Sequence, residues 1–235
     1  MPSAGYAEYL PTPQLRDLVV CGWTLTCQDP LPDHRVLPDG CIDIVLGGGK
    51  PLVAGPSTTA FDSPMPAGGF AAGIRFRPGA APSVLGVAAD ELRDLLVPLD
   101  DIWPSACGGE ADDATAALAL LHDELLARLP AARTPDRAVL AATAILAADP
   151  GATVTSIAAA IGLGERQLRR RFLDHVGYGP KCLARVLRLQ RLLTGPPEPW
   201  AQRAIAAGYA DQAHMTRECA ALTGRSPSRL AASAV

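Results

Sequence analysis

Three arginines, Arg166, Arg169 and Arg170, stand three and four positions apart, so on a helix they share one face. A guanidinium offers a planar fork of donors that matches the guanine edge and the phosphate group. Further along, Gln212, Thr216 and Arg217 fall on one face of a helix opened by Asp211. Three arginines on an isolated helix are ordinarily a solvated face. Here their setting favours a polyanion.

That setting is an internal repeat at an offset of 47 residues. Leu168 matches Met215, Arg170 matches Arg217, Phe172 matches Cys219, Gly177 matches Gly224, Pro180 matches Pro227 and Leu183 matches Leu230. Two copies of one supersecondary unit explain it most simply. In the first copy Thr153 is an N-cap for a short helix over 154–161, and Gly162-Leu163-Gly164 makes a tight turn. A second helix then runs from Glu165 to Val176, with Leu168, Phe172 and Val176 facing a core and Gly177 as its stop. The second copy has a supporting helix over 200–208 and a reader from Asp211 to about 223. Between them, 181–193 reads as one helix with Val186, Leu189 and Leu193 on one side and Lys181, Arg185 and Arg188 on another. This is a tandem helix–turn–helix pattern. A rigid connector would let a monomer span two major-groove segments about 34 Å apart.

The charge distribution agrees. The chain has 235 residues and a net charge of −3, but residues 1–150 carry −10 and residues 151–235 carry +7. A split of this size implies two modules with different partners, one of them a polyanion. No uninterrupted apolar run is long enough to span a membrane, and no basic–apolar leader opens the chain, so membrane partners and secretion are not expected and a cytoplasmic location is. The six cysteines occur singly, which fits reduced, buried thiols. A zinc site built from Cys21, Cys27, His34 and Cys41 would need a sharp chain reversal, because Cys21 and Cys27 on one strand lie about 20 Å apart. No cofactor is expected.

The N-terminal 77 residues read as β, with short apolar runs at 18–26, 41–46, 52–54 and 70–76 separated by Pro- and Gly-rich turns. After Pro78 the period changes. Residues 112–129 form an amphipathic helix, and Thr134-Pro135 caps a second that ends near Asp149-Pro150. These helices either pack on their own domain or pair with a second copy, and the former is favoured. The expected fold is α+β: a β-rich, small barrel- or sandwich-like unit at 1–110, helices at 111–150 and an all-α tandem helix–turn–helix unit at 151–235. On the strands, Cys41 and Asp43 share a face, as do Arg75 and Arg77. If the two faces meet, Arg–Asp pairs are either structural or line a pocket, with structure favoured since a buried charge needs a partner. Trp23, Cys41, Asp43 and Arg75 are thus the candidate ligand residues. Trp23 reads first as core, and Cys41 has no neighbouring cation in sequence to activate its thiol. No Gly-x-Ser-x-Gly, His-Glu-x-x-His or phosphate loop occurs, and the four histidines are isolated, so no enzyme is expected. A metal- or thiol-based sensor, or an enzyme domain fused to DNA-binding helices, is the alternative.

Residues 153–231 resemble the tandem helix–turn–helix domain of the AraC/XylS family of bacterial transcription regulators. The motifs are Ile157-Ala158, Gly162-Leu163, Gln167-Leu168, Arg170-Arg171-Phe172 and Gly177-x-x-Pro180, then Gly208-Tyr209, Asp211-Gln212-Ala213-His214, Arg217 and Thr223-Gly224-Arg225-Ser226-Pro227. Residues 15–103 resemble the uncharacterised N-terminal domain of one AraC-type subgroup, through 35–43, 54–56, 73–79 and 97–103. The resemblance implies a one-component regulator of double-stranded DNA, acting as activator or repressor, with a β-rich effector or dimerisation domain. It implies Arg166, Gln167, Arg169 and Arg170 as contacts of the first reader and Gln212, Thr216 and Arg217 as those of the second. A small-molecule effector, a second copy of the chain and, for an activator, RNA polymerase are the further partners. Two departures stand out: Cys219 replaces the usual aromatic, and Arg203 stands where an apolar residue is usual. Both imply a less stable second unit that positions on phosphates more than it reads bases.

Overall fold

The structure is a computed structural model that describes residues 4–104 and 111–233. Strands β1 (Ala4–Tyr9), β2 (Val19–Cys27), β4 (Asp43–Gly47), β5 (Leu52–Ala54), β7 (Phe70–Phe76) and β8 (Leu96–Pro98) form one antiparallel sheet in the order β1-β2-β7-β4-β5-β8. Strands β3 (Arg35–Val36) and β6 (Phe61–Asp62) make a separate short ribbon. Two single-turn helices, α1 (Pro82–Leu85) and α2 (Leu99–Ile102), flank β8 in the chain. The main sheet is open, with β1 and β8 at its edges, so the β-rich unit is barrel-like in composition but not a closed barrel.

Side chains alternate across a strand, and this sheet uses both faces. Ile44, Leu46, Ala72, Ile74 and Phe76 are buried in one core with Leu121 and Leu125 of helix α3 (Ala114–Arg128). α3 lies across β7, β2 and β4. Its start is set by Asp113, whose carboxylate accepts the Ala116 amide at 2.8 Å.

Helix α4 (Arg137–Ala148) begins at Asp136 rather than at the expected Thr134-Pro135. Asp136 accepts the amides of both Ala138 and Val139, and the same carboxylate receives Arg171 at 2.9 Å. A carboxylate serving two orphan amides and a guanidinium outcompetes a threonine hydroxyl. By packing, the 111–150 segment divides. α3 belongs to the sheet, whereas Val139, Ala142 and Leu146 of α4 are buried with residues of the helices that follow.

Those helices are α5 (Val154–Ala160), α6 (Glu165–Val176), α7 (Pro180–Thr194), α8 (Trp200–Ala206), α9 (Gln212–Thr223) and α10 (Pro227–Ser233). One apolar cluster joins α4 to α5, α6 and the start of α7, and a second joins the rest of α7 to α8, α9 and Leu230. The overall class is therefore α+β, a β-rich N-terminal part followed by a helical one, as expected. The two parts are in direct contact. Gln190 on α7 donates to the Pro38 carbonyl at 2.6 Å, the Ala89 amide donates to the Asp174 carbonyl at 2.8 Å, and the Ala60 amide donates to the Leu222 carbonyl at 2.7 Å.

Candidate nucleic-acid interface

α6 and α9 are placed by the same local devices. Thr153 accepts the Ser156 amide at 3.0 Å and opens α5; Gly162, at φ +69°, reverses the chain; α6 then starts. Asp211 accepts the His214 amide at 2.6 Å and opens α9 after Gly208, at φ +90°. Gly177 and Gly224 end α6 and α9 in the left-handed region, which glycine enters without a Cβ clash. Leu168, Phe172 and Val176 are buried on α6, and Met215, Cys219 and Leu222 on α9.

The opposite faces are open. Arg166, Gln167, Arg169 and Arg170 are exposed on α6, and Gln212, Thr216 and Arg217 on α9. Two of them are already engaged within their helix. Arg169 pairs with Glu165 at 2.9 Å, and the Thr216 hydroxyl donates to the Gln212 carbonyl. Arg171, within the Arg-rich run, points the other way and ties α6 to α4 through Asp136.

The contact that orients the units was not singled out from sequence. Glu218 on α9 is 14% exposed and receives Arg188 of α7 at 2.8 Å, Arg185 at 3.4 Å and His214 at 3.3 Å. His214 Nδ1 accepts the Ala210 amide, so in the neutral ring Nε2 carries the proton and donates to Glu218. Arg188 also donates to the Pro150 carbonyl and lies over the Tyr209 ring at 5.5 Å. Glu218 is the only acid in α9, and Arg188 lies three positions after Arg185, the signal that could have suggested the pair. A cleft of about 610 Å³ lies between the units, bordered by Thr155, Arg169, Lys181 and Arg185.

Arg203 is half-buried and meets no acid among the described residues, and its Nε has no hydrogen-bond partner. It donates to the Leu192 carbonyl at 2.6 Å, near the C-terminus of α7, and stacks over Trp200 at 4.5 Å. A cation there meets the negative end of the helix dipole. Cys219 is fully buried, and burial pushes its thiol up to about 11.

The N-terminal candidates also converge. Asp43 and Arg75 are directly paired across β4 and β7, and Arg75 reaches Asp43 at 3.2 Å, Asp39 at 3.0 Å and Glu8 at 3.7 Å. The Trp23 indole donates to Asp43 at 2.8 Å. Its ring lies over Gly73, where a Cβ would come within 2.5 Å. Asp43 is pushed up to about 6 by burial, against the pull of Arg75. Cys41 sits beside the cluster, its thiol held well above the ordinary range by burial and by Asp39 and Asp43. It is therefore no ready thiolate. Arg77 leaves this face and donates to the Arg16 carbonyl. Among the described residues no group of three or more His, Cys, Asp or Glu is placed to hold a metal ion; Cys107 lies outside them.

Two helix pairs, α5 with α6 and α8 with α9, are joined by α7, and α6 and α9 each keep a polar face open to solvent. Residues 157–233 match a family model described as a helix-turn-helix domain, and residues 7–98 match one described as a domain of unknown function (DUF6597). The chain thus joins a domain of the DUF6597 family to a helix-turn-helix domain. No curated protein matches it. Among solved structures, apo ToxT from Vibrio cholerae, in a single-residue variant, is similar over 100% of this chain and 98% of its own, at 12% identity and a TM-score of 0.50. A second ToxT structure covers 97% and 96% at 12% identity and a TM-score of 0.42. A probable AraC family transcriptional regulator from Rhodopseudomonas palustris is similar over 42% of this chain and 98% of its own, at 23% identity and a TM-score of 0.38. Among the described residues no helix is long and apolar enough to cross a membrane.

Proposed function

We propose that the chain reads two adjacent major-groove segments of one DNA site, with Arg166, Gln167, Arg169 and Arg170 as the contacts of α6 and Gln212, Thr216 and Arg217 as those of α9. The single observation that carries this reading is the joint one of open polar reader faces and the Glu218–Arg188 tie that fixes α9 on α7. Arg185 and Lys181, at the intervening cleft, stand where phosphates between the two segments would pass. The N-terminal part acts as an effector or dimerisation domain, and its hydrogen bonds to Asp174, Gln190 and Leu222 give it purchase on both units.

The functional division follows packing: the sheet with α3 is one module, and α4 to α10 form the other. The test is selection of bound genomic fragments by the full chain, followed by anisotropy titrations on the selected site. Affinity should fall steeply with salt, since each phosphate contact releases counterions. Equal affinity for the selected site and for unrelated DNA at moderate salt would overturn the reading.

A further inference from the structure

A second feature of the N-terminal part lies on the sheet face opposite Trp23 and Arg75. α3 packs on β7, β2 and β4, and between it and the end of β1 lies a cavity of about 340 Å³. Its floor is Val19, Gly22 and Ile74, and its outer wall is Leu118, Ala119 and His122 of α3. A Cβ at Gly22 would stand 3.0 Å from Leu118, so the glycine keeps the floor open while α3 packs close. Tyr9 and Leu10 border the mouth, and Leu10 is 93% exposed.

The lining decides the ligand chemistry. No Asp, Glu, Lys or Arg contributes to it. An ionised ligand would lose water without gaining a counter-charge from the lining, which disfavours it. The polar groups present are hydroxyls and the His122 imidazole, whose Nδ1 faces Asp123 at 3.5 Å. The Thr24 hydroxyl, on a residue only 7% exposed, meets the Tyr9 hydroxyl at 3.4 Å, and Thr12 meets His122 Nε2 at 3.4 Å. Hydrogen bonds this long leave donors and acceptors free for a guest. Apolar walls with a few polar groups are what a small-molecule site requires, and this volume is near the lower end of the roughly 300–1,000 Å³ such sites occupy.

We propose that this cavity binds a small, neutral, mainly apolar molecule with one or two hydrogen-bonding groups, such as a phenol, alcohol or ketone, received by Thr24 and His122. The proposal deepens the effector-domain reading and rests on it for its purpose. A run of adjacent residues leads from the cavity towards the helical part. Leu15 borders the cavity, Arg77 donates to the neighbouring Arg16 carbonyl, and Gly79, two residues on, packs against Val139 of α4 and Val176 of α6.

The test uses the full chain without DNA, titrated with the neutral fluorophore N-phenyl-1-naphthylamine and competed by p-cresol, benzyl alcohol, benzoate and benzylammonium. One-site saturation is expected, with the neutral competitors at least about tenfold more effective than the charged ones. Ala119→Trp, at the exposed outer wall, should weaken the fluorophore about tenfold or more, and Thr115→Trp serves if that variant folds poorly. His122→Phe should weaken p-cresol more than the fluorophore. Absence of saturation, indifference to both Trp variants or equal competition by charged compounds would overturn the proposal. So would probe binding that disappears as a dimer forms in sedimentation, which would assign the apolar mouth to a second copy. Binding with no effect on DNA affinity would count against regulation and leave the site standing.

Discussion

Arg188 Nη2 lies 2.8 Å from both carboxylate oxygens of Glu218, and this pair holds α9 to α7. The side chains are 12% and 14% exposed, so the pair is largely withdrawn from solvent. Removing one member of such a pair leaves a charge with no partner, a change that typically costs about 3–5 kcal/mol. Glu218→Ala strands Arg188 and also releases Arg185 and His214. The expected loss in urea unfolding of the full chain is about 3 kcal/mol. Affinity for a two-groove site should fall further than affinity for its first half-site alone, because α9 loses its orientation.

Neighbouring arginines on α6 face different surroundings, Arg170 solvent and Arg171 the carboxylate of Asp136, and substitution tests whether their duties differ as well. Arg170→Ala removes an exposed side chain with no partner of its own among the described contacts; it should leave stability within about 0.5 kcal/mol and cost about 1–3 kcal/mol of specific DNA affinity. Arg171→Ala should do the reverse. It frees Asp136, the cap of α4, and should cost about 1 kcal/mol of stability, with base preference unchanged. Thermal unfolding and anisotropy on both variants check the pair of outcomes. Equal effects of the two substitutions on specificity would refute the assignment.

Asp43 carries a pH signature. Burial raises its folded-state value from 3.8 to about 6, so between these values the folded state holds more protons than the unfolded chain. Stability from this group is greatest below about pH 4 and declines as pH rises through about 6. Asp43→Asn removes that dependence. Urea unfolding at several pH values should show the wild type losing ground to the variant as pH rises across this window, and parallel profiles would refute the shift. The variant also keeps an acceptor for the Trp23 indole, so the comparison isolates the charge.

How much of this was legible in the sequence depends on where each signal sits. Thr153 and Asp211 are caps at the expected positions, and the 3.6-residue period of Leu168, Phe172 and Val176 predicts the buried face of α6. Such signals are local. Parity along β4 and β7 likewise marks Asp43 and Arg75 as inward candidates, and the register sets them directly opposite each other. β1 leaves no such mark. It is an edge strand with exposed Tyr6, Glu8 and Tyr9, so burial does not impose alternation. β8 ends in Pro98, which an edge strand tolerates but a sequence pattern reads as a break. Contacts across great sequence distance, such as Gln190 to Pro38, and a cavity assembled from β1, β2 and α3, have no periodic signature at all.

The two readers should contribute unequally. On α6, Arg166, Gln167 and Arg170 are exposed and their side chains are not engaged within the helix, whereas on α9 the Thr216 hydroxyl is already committed to the Gln212 carbonyl. The second unit's core is smaller at its centre, with Cys219 in the position that Phe172 holds in the first. The stacking of Arg203 on Trp200 offsets part of that loss at the end of the supporting helix, but it adds nothing to the reading face. The Gln212→Ala and Arg217→Ala double variant should therefore lower affinity nearly equally across base substitutions and reduce the salt slope by about 1, as a phosphate contact does. The Arg166→Ala and Arg170→Ala double variant should instead flatten discrimination in the first half-site, by about 1–3 kcal/mol per base read. Titrating a panel of single-base operator variants at three salt concentrations distinguishes the two. A loss of discrimination in the second half-site as sharp as in the first would show that α9 reads bases on equal terms.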